Sequence, residues 1–295
     1  VGKEHLYVWE KQEGILHENE AAEILYHISA DIHMHGSDIK EGKIELIADC
    51  DGVLKIRRDA LLAVNSLGEM MIASRHGDFP VKKGDKIAGT RIIPLVIEKS
   101  KMDKAEKVAG TKPIFSILPY RSKKVGIITT GSEVQKGLIK DTFTPVLKEK
   151  LDEFSCQILG QTLPGDERSQ ITSDILSFID QGADMVICSG GMSVDPDDRT
   201  PGAIKDTGAE IVTYGAPVLP GAMLLLSYYQ NNDKIIPILG LPGCVMYARR
   251  TVFDLILPRI MADDRICADE IASYGEGGLC LNCDVCTFPN CGFGK

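Results

Sequence analysis

The thirteen residues Ser189-Gly190-Gly191-Met192-Ser193-Val194-Asp195-Pro196-Asp197-Asp198-Arg199-Thr200-Pro201 bring together two adjacent glycines, hydroxyl groups, three carboxylates and a Thr-Pro pair. The apolar run Met185-Val186-Ile187-Cys188 leads into them. A strand, a glycine turn and a helix N-terminus, in that order, set free backbone N–H groups against an anionic ligand. Asp195, Asp197 and Asp198 would repel such an anion, so a plain phosphate cradle does not account for them. Their presence points either to a bridging divalent cation or to acid/base chemistry beside a phosphate.

A second constellation closes the chain. Cys280-x2-Cys283-x2-Cys286-x4-Cys291 lies in a Gly- and Pro-rich tail that is expected to have almost no apolar core of its own. Four thiols this close suggest a metal centre as the organiser of the tail. The first three follow an iron–sulfur spacing, but the x4 interval and the lack of a following Pro depart from the ferredoxin run. Iron–sulfur, zinc, and unligated or disulfide-linked thiols all remain open on spacing alone. The five scattered cysteines (Cys50, Cys156, Cys188, Cys244 and Cys267) are expected to be buried thiols.

The glycine loop needs elements to hold it, and residues 123–262 supply them. Val125-Gly126-Ile127-Ile128-Thr129-Thr130 reads as a buried strand ending at Gly131-Ser132-Glu133. Asp141-Thr142 caps a helix to residue 154, with Val146, Leu147 and Leu151 at helical spacing. The strand from Gln157 closes at Pro164-Gly165-Asp166-Glu167, and a helix over 169–181 turns Ile171, Ile175, Phe178 and Ile179 to one side. After the glycine loop come a short helix from Thr200, a strand over 210–214, and a hairpin through Asn231-Asn232-Asp233. Gly240-Leu241-Pro242-Gly243 then opens a final helix over 244–261. Repeated βα units of this length predict an α/β fold, a mainly parallel sheet with helices on both faces. Ligands in such sheets bind beyond the carboxyl ends of the strands, where four glycine-containing loops collect.

Residues 1–98 carry a different rhythm of short strands and are expected to form a smaller β-rich domain. Asp51-Gly52 reads as a hairpin turn between apolar runs, and Asn19 as the cap of a helix reaching His27. His33 and His35 would share a strand face, and are read as exposed histidines rather than a metal pair. The charged stretch over 99–122 is expected to be a linker helix and connector. An α/β domain over 123–266 and a Cys-rich tail over 267–295 complete the expected division.

Composition narrows the function classes. A net charge of −9 and a single Trp argue against a nucleic-acid surface. No apolar run approaches the roughly 20 residues of a membrane span, and no leader pattern is seen, so a cytoplasmic location is expected. The chain starts Val1-Gly2-Lys3 without a Met, which suggests a first domain truncated at its start.

With these loops assembled, residues 123–262 resemble the molybdopterin-binding domain of molybdenum-cofactor biosynthesis proteins. The matching pieces are Thr130-Gly131-Ser132-Glu133, Asp141-Thr142, Pro164-Gly165-Asp166-Glu167, Ser189-Gly190-Gly191, Asp198 with Thr200-Pro201, Pro220-Gly221 and Leu241-Pro242-Gly243, in family order. The resemblance implies a three-layer α/β/α sandwich that binds the pterin and its terminal phosphate across the glycine turns. Family members adenylylate molybdopterin, or insert molybdate into the activated form with Mg²⁺. Molybdopterin or its adenylylated form, molybdate and ATP are therefore the implied ligands, and relatives of the domain commonly self-associate as homo-oligomers. Carried over by position, Gly190, Gly191 and Ser193 hold the phosphate end, and Asp166 and Asp198 match the family's important carboxylates. Asp141 matches an acidic position at the pocket edge. The remaining matched positions, together with Asp195, are implied to line the ligand site.

Two departures and several alternatives accompany the resemblance. Insertion-type members commonly read Gly-Leu-Pro-Gly-Asn where this chain has Cys244, either a thiol of lowered pKa at a helix N-terminus or a small buried filler. The N-terminal domain does not resemble the elongated arrangement of insertion-type members. Asp198 reads equally as a helix cap, and Glu133 and Glu167 as first-turn charges that complement helix dipoles. A non-catalytic carrier or sensor reporting through the cysteine tail, which would dock on a molybdoenzyme, is a second reading. Asp195 to Asp198 also resembles the related domain of competence-damage-inducible proteins, which gives a nucleotide-processing hydrolase as a third.

Overall fold

The computed structural model describes residues 12–138, 140–192 and 198–295. The strand expected over residues 6–9, and the site candidates Ser193 and Asp195, lie outside them. The chain divides after Pro119 into two compact units.

Among its described residues, the first unit combines short antiparallel sheets with three helices. One sheet orders Met34–Gly36, Lys43–Ala48, Lys86–Ile92 and Met70–Ser74, and another orders Phe79–Val81, Gly52–Ile56 and Phe115–Pro119. Leu25, Leu46, Leu54, Val64, Ile87 and Phe115 are fully enclosed in a common core. The expected hairpin at Asp51-Gly52 does not form, because the runs on either side enter different sheets. Gly52 is needed for a close approach instead: a Cβ there would lie 2.3 Å from the Leu118 carbonyl oxygen. Asn19 is not the cap of its helix. His17 precedes the helix Glu18–Ser29, and its Nδ1 accepts from the Asn19 N–H at 3.3 Å. The segment expected to link the domains is a helix of the first unit, Lys99–Ala109, and it buries Met102, Ala105 and Ala109. Those three small or flexible apolar residues recur at i, i+3 and i+7, one face of a helix, which the surrounding charges obscured in sequence. His35 Nδ1 lies 2.6 Å from Asp49 Oδ1 at the surface.

The second unit is a six-stranded sheet. Its strands are β1 (Lys124–Thr130), β2 (Gln157–Gly165), β3 (Met185–Ser189), β4 (Glu210–Tyr214), β5 (Leu225–Asn231) and β6 (Lys234–Leu241), in the order β2-β1-β3-β6-β5-β4. The pairs β2-β1, β1-β3 and β3-β6 are parallel, whereas β6-β5 and β5-β4 are antiparallel. Only β5 therefore opposes the common direction. Its start faces the same edge as the ends of the other five. The hairpin between β5 and β6 turns at Asn232, whose φ of 52° is the left-handed conformation Asn tolerates.

Helices cover both faces, as the sequence predicts. Between the strands lie α1 (Ser132–Gln135), α2 (Phe143–Asp152), α3 (Arg168–Asp180) and α4 (Thr200–Asp206), followed by α5 (Val252–Met261) and α6 (Ala268–Ser273). On one face Ile128, Val186, Cys188 and Ile238 pack against Ile171, Ile175 and Phe178 of α3 and Ile204 of α4. The alternate residues face the other way, where Thr129 Oγ1 meets Thr144 Oγ1 of α2 at 3.4 Å. Lys150 of α2 in turn holds Asp254 of α5 at 2.6 Å. The expected single helix over 244–261 is two pieces, a 3₁₀ turn at Gly243–Met246 and then α5. Thr251 restarts the helix: its hydroxyl accepts from the Phe253 N–H, and Asp254 accepts from the Thr251 N–H. That reciprocal cap outweighs continuation of the first turn.

Candidate functional site

The carboxyl ends of β1, β2, β3, β4 and β6 define one edge of the second unit, and most of the residues read as functional sit there. The β1 end carries Thr130 and Gly131, the β2 end Gly165 and Asp166, the β3 end Ser189 and Gly190, and the β6 end Leu241 and Pro242. Register places them side by side: Thr130 pairs with Gly165, Thr129 with Ser189, and Ser189 with Leu241. Pro220 and Gly221 lie just before β5, whose Leu225 pairs with Gly240, so they reach the same edge.

The turn after β3 has the conformation that the glycines predicted. Gly190 has φ 86° and Gly191 has φ 56°, both left-handed. A Cβ on Gly190 would lie 2.6 Å from the Thr130 carbonyl oxygen, and one on Gly191 would lie 2.8 Å from Thr200 Oγ1. Hydroxyl groups fasten the turn to its neighbours. Thr130 Oγ1 donates to the Ser189 carbonyl at 3.2 Å, and Thr200 Oγ1 donates to the Gly190 carbonyl at 2.9 Å. Thr130 and Thr200 are themselves 3.2 Å apart through their hydroxyl oxygens. Two left-handed residues in succession are the backbone conformation of turns that take up anions through their N–H groups.

The three carboxylates expected to do chemistry are not equivalent. Asp141 Oδ1 accepts from the Phe143 and Thr144 N–H groups at 2.8 and 3.1 Å, and its Oδ2 accepts from Gln161 Nε2 at 2.6 Å. Burial pushes this carboxyl up, but hydrogen bonds from Thr144, Gln161 and the α2 backbone outweigh it and hold the acid below its ordinary range. Asp141 is thus committed to starting α2, as the sequence reading of a cap predicted. Asp166 is exposed, and its Oδ2 accepts from the Ser132 N–H at 2.8 Å, which ties the β2 loop to α1. Asp198 is half-exposed just ahead of α4. It stands close enough to Tyr214 to help burial push that phenol up.

Glu133 is exposed in the first turn of α1. Gly243 is exposed, with nothing within 4 Å of a Cβ added there, whereas Leu241 and Pro242 before it are buried. Gly221, by contrast, is buried, and a Cβ would lie 2.5 Å from Val252. Its φ of 131° serves packing of the loop on α5. Cys244 is half-buried, and burial pushes its thiol up against a lowering backbone hydrogen bond. The filler reading is the one this environment favours. Among the scattered cysteines only Cys188 is fully buried, while Cys267 is exposed, contrary to expectation, because it precedes α6 at the surface.

Sequence reasoning missed Gln161 and Tyr214. Gln161 Nε2 bridges Asp141 and Thr129 Oγ1, the latter at 3.0 Å, and locks the α2 start to the sheet. Tyr214 ends β4, and its hydroxyl donates to the Met192 carbonyl at 3.2 Å. A polar residue in mid-strand gives no periodic signal. Tyr214 could have been found, since it ends a strand at the ligand edge.

The cysteine tail reaches the same edge. Leu219 N–H donates to the Gly278 carbonyl and Cys280 N–H to the Leu219 carbonyl, both at 2.8 Å. Phe293 is buried, so the tail has an apolar anchor that its composition did not suggest. Cys280, Cys283, Cys286 and Cys291 line one cavity with Arg249 and Arg250. Among the described residues, no three His, Cys, Asp or Glu are grouped so that they could hold one metal ion. No helix among them is long and apolar enough to cross a membrane.

Residues 126–262 match the family described as "Probable molybdopterin binding domain". A molybdopterin molybdenumtransferase of Synechococcus elongatus is 25% identical over 193 residues, covering 63% of this chain and 44% of that protein. One of Haemophilus influenzae is 27% identical over 236 residues, covering 77% of this chain and 54% of that protein. A CinA-like protein of Mycolicibacterium gilvum is 37% identical over 79 residues, covering 27% and 19% respectively. The chain thus spans about half the length of the two transferases it matches.

Proposed function

Residues 126–262 match the molybdopterin-binding family, and on that premise we propose that this chain binds molybdopterin, or its adenylylated form, and takes part in assembly of the molybdenum cofactor. The observation that carries the reading is the Gly190-Gly191 turn at the strand-end edge, left-handed at both glycines and fastened through the Ser189 and Gly190 carbonyls, a geometry that suits a terminal phosphate. The pterin would lie across the neighbouring loops, from Thr130-Gly131-Ser132-Glu133 to Pro220 and the Leu241-Pro242-Gly243 corner, which is exposed at Gly243. Ser193 and Asp195 extend the candidate set from the sequence.

Carboxylate oxygens are the hard donors that Mg²⁺ takes together with substrate phosphates. Asp166 and Asp198, the acids matched to the family's important carboxylates, are assigned that role, whereas Asp141 has both oxygens in hydrogen bonds that start α2. Bound there, Mg²⁺ would neutralise phosphate charge against the acids, which answers the repulsion evident in the sequence. The chain's own residues do the positioning. Thr130 and Thr200 hold the turn, Asp141 and Gln161 fix α2 against β1, and Tyr214 holds the Met192 carbonyl beside Asp198.

Molybdate insertion and adenylyl transfer both suit such a site, with molybdate or ATP as the second substrate. Anaerobic incubation with molybdopterin and ATP, and with adenylylated molybdopterin and molybdate, distinguishes them by product. Stoichiometric binding without turnover would identify a carrier. A second reading, a nucleotide-processing hydrolase, draws on the local match to the CinA-like protein. Hydrolysis of nicotinamide-type nucleotides, without molybdopterin binding, would replace the first reading with it.

A further inference from the structure

The pterin reading leaves the four terminal cysteines unused. All four line one cavity of about 230 Å³, and none is in a disulfide. Among the described residues they are not grouped around a single ion position. A structural zinc site is built the other way, with four ligands closed tightly around one ion. Four thiols lining one cavity of this volume suit a polynuclear centre, in which cysteines bind several irons bridged by inorganic sulfide. The interval Cys280-x2-Cys283-x2-Cys286 is the iron–sulfur spacing, and Cys291, five positions on, lines the same cavity.

The cavity wall also supplies positive charge for a set of thiolates. Arg249 Nη1 donates to the Asp284 carbonyl at 2.8 Å. Arg250 lies over the Phe288 ring at 5.0 Å, and its Nη1 donates to Asp254 at 2.8 Å. Both guanidinium groups are thus held in place beside the thiols.

We propose that Cys280, Cys283, Cys286 and Cys291 hold an iron–sulfur cluster in the cavity they line. Cys280 is hydrogen-bonded through its backbone to Leu219, next to Pro220, so the cluster fastens the tail to the loop beside the ligand edge. This holds whatever that edge binds.

Full-length protein purified anaerobically and reconstituted with ferrous iron and sulfide tests the assignment. It is expected to retain about four iron and four acid-labile sulfide per chain, with a reducible visible absorption. Cys283→Ser/Cys286→Ser should lose both, whereas Cys267→Ser, outside the cavity, should keep them. If the double variant does not fold, Cys291→Ser decides through its lower iron content. Stoichiometric zinc without sulfide overturns the proposal, as does iron content in the native protein no higher than in the cavity variants.

Discussion

Gly190 and Asp141 hold the site at the scale of single residues, one by shape and the other by charge. Placing a side chain at φ 86° costs about 1–2 kcal/mol before any clash, and the Thr130 carbonyl stands in the way of a Cβ. Gly190→Ala is therefore expected to shift the turn and abolish phosphate-dependent ligand binding while the protein remains folded, as read by calorimetry beside a thermal melt. Asp141 predicts a pH effect. Its carboxyl is held below the unfolded value of about 3.9, so its contribution to stability is present above that value and lost as pH falls through the lower folded one. The stability gap between native protein and Asp141→Ala should be widest near neutrality and close in acid. Denaturant unfolding across that range checks it, and a gap independent of pH would remove the argument.

At the scale of elements, α5 is the support behind the edge. All ten of its residues are buried, including Asp254, whose side chain is 4% exposed and held by Lys150 and Arg250. Removing one partner of a buried ion pair leaves the others uncompensated and costs about 3–5 kcal/mol. Asp254→Ala is expected to lower stability by that order in denaturant unfolding, and to loosen Arg250 beside the tail. Much at this scale was legible in the sequence. Buried strands such as Val125 to Thr130, the Asn231-Asn232-Asp233 hairpin and the Thr200-Pro201 helix start carry strong local signals, and the α/β unit follows from them. What escaped was decided by distant partners. Asp51-Gly52 looks like a turn until Leu118 approaches Gly52, and the segment 244–261 looks like one helix until Thr251 and Asp254 cap its second half. Gln161 joins the site only because α2 folds back over β1.

At the scale of the whole molecule, two units with separate cores share one chain. The residues matched to the molybdopterin-binding family fall wholly within the second. A fragment over 120–295 is therefore expected to fold alone and to keep ligand binding, with circular dichroism and titration as the checks. Failure of the fragment to bind when the full chain does would assign the first unit a part in the site. The central claim is that the edge formed by the five strand ends, with the Gly190-Gly191 turn at its middle, takes the phosphate end of molybdopterin. The most direct measurement is anaerobic titration of the full-length protein with molybdopterin, with Gly190→Ala and Asp198→Ala in parallel. The account predicts stoichiometric binding by the native chain, with binding lost in the first variant and weakened in the second. Native protein that does not bind, or a Gly190→Ala variant that binds as well as the native chain, would contradict it.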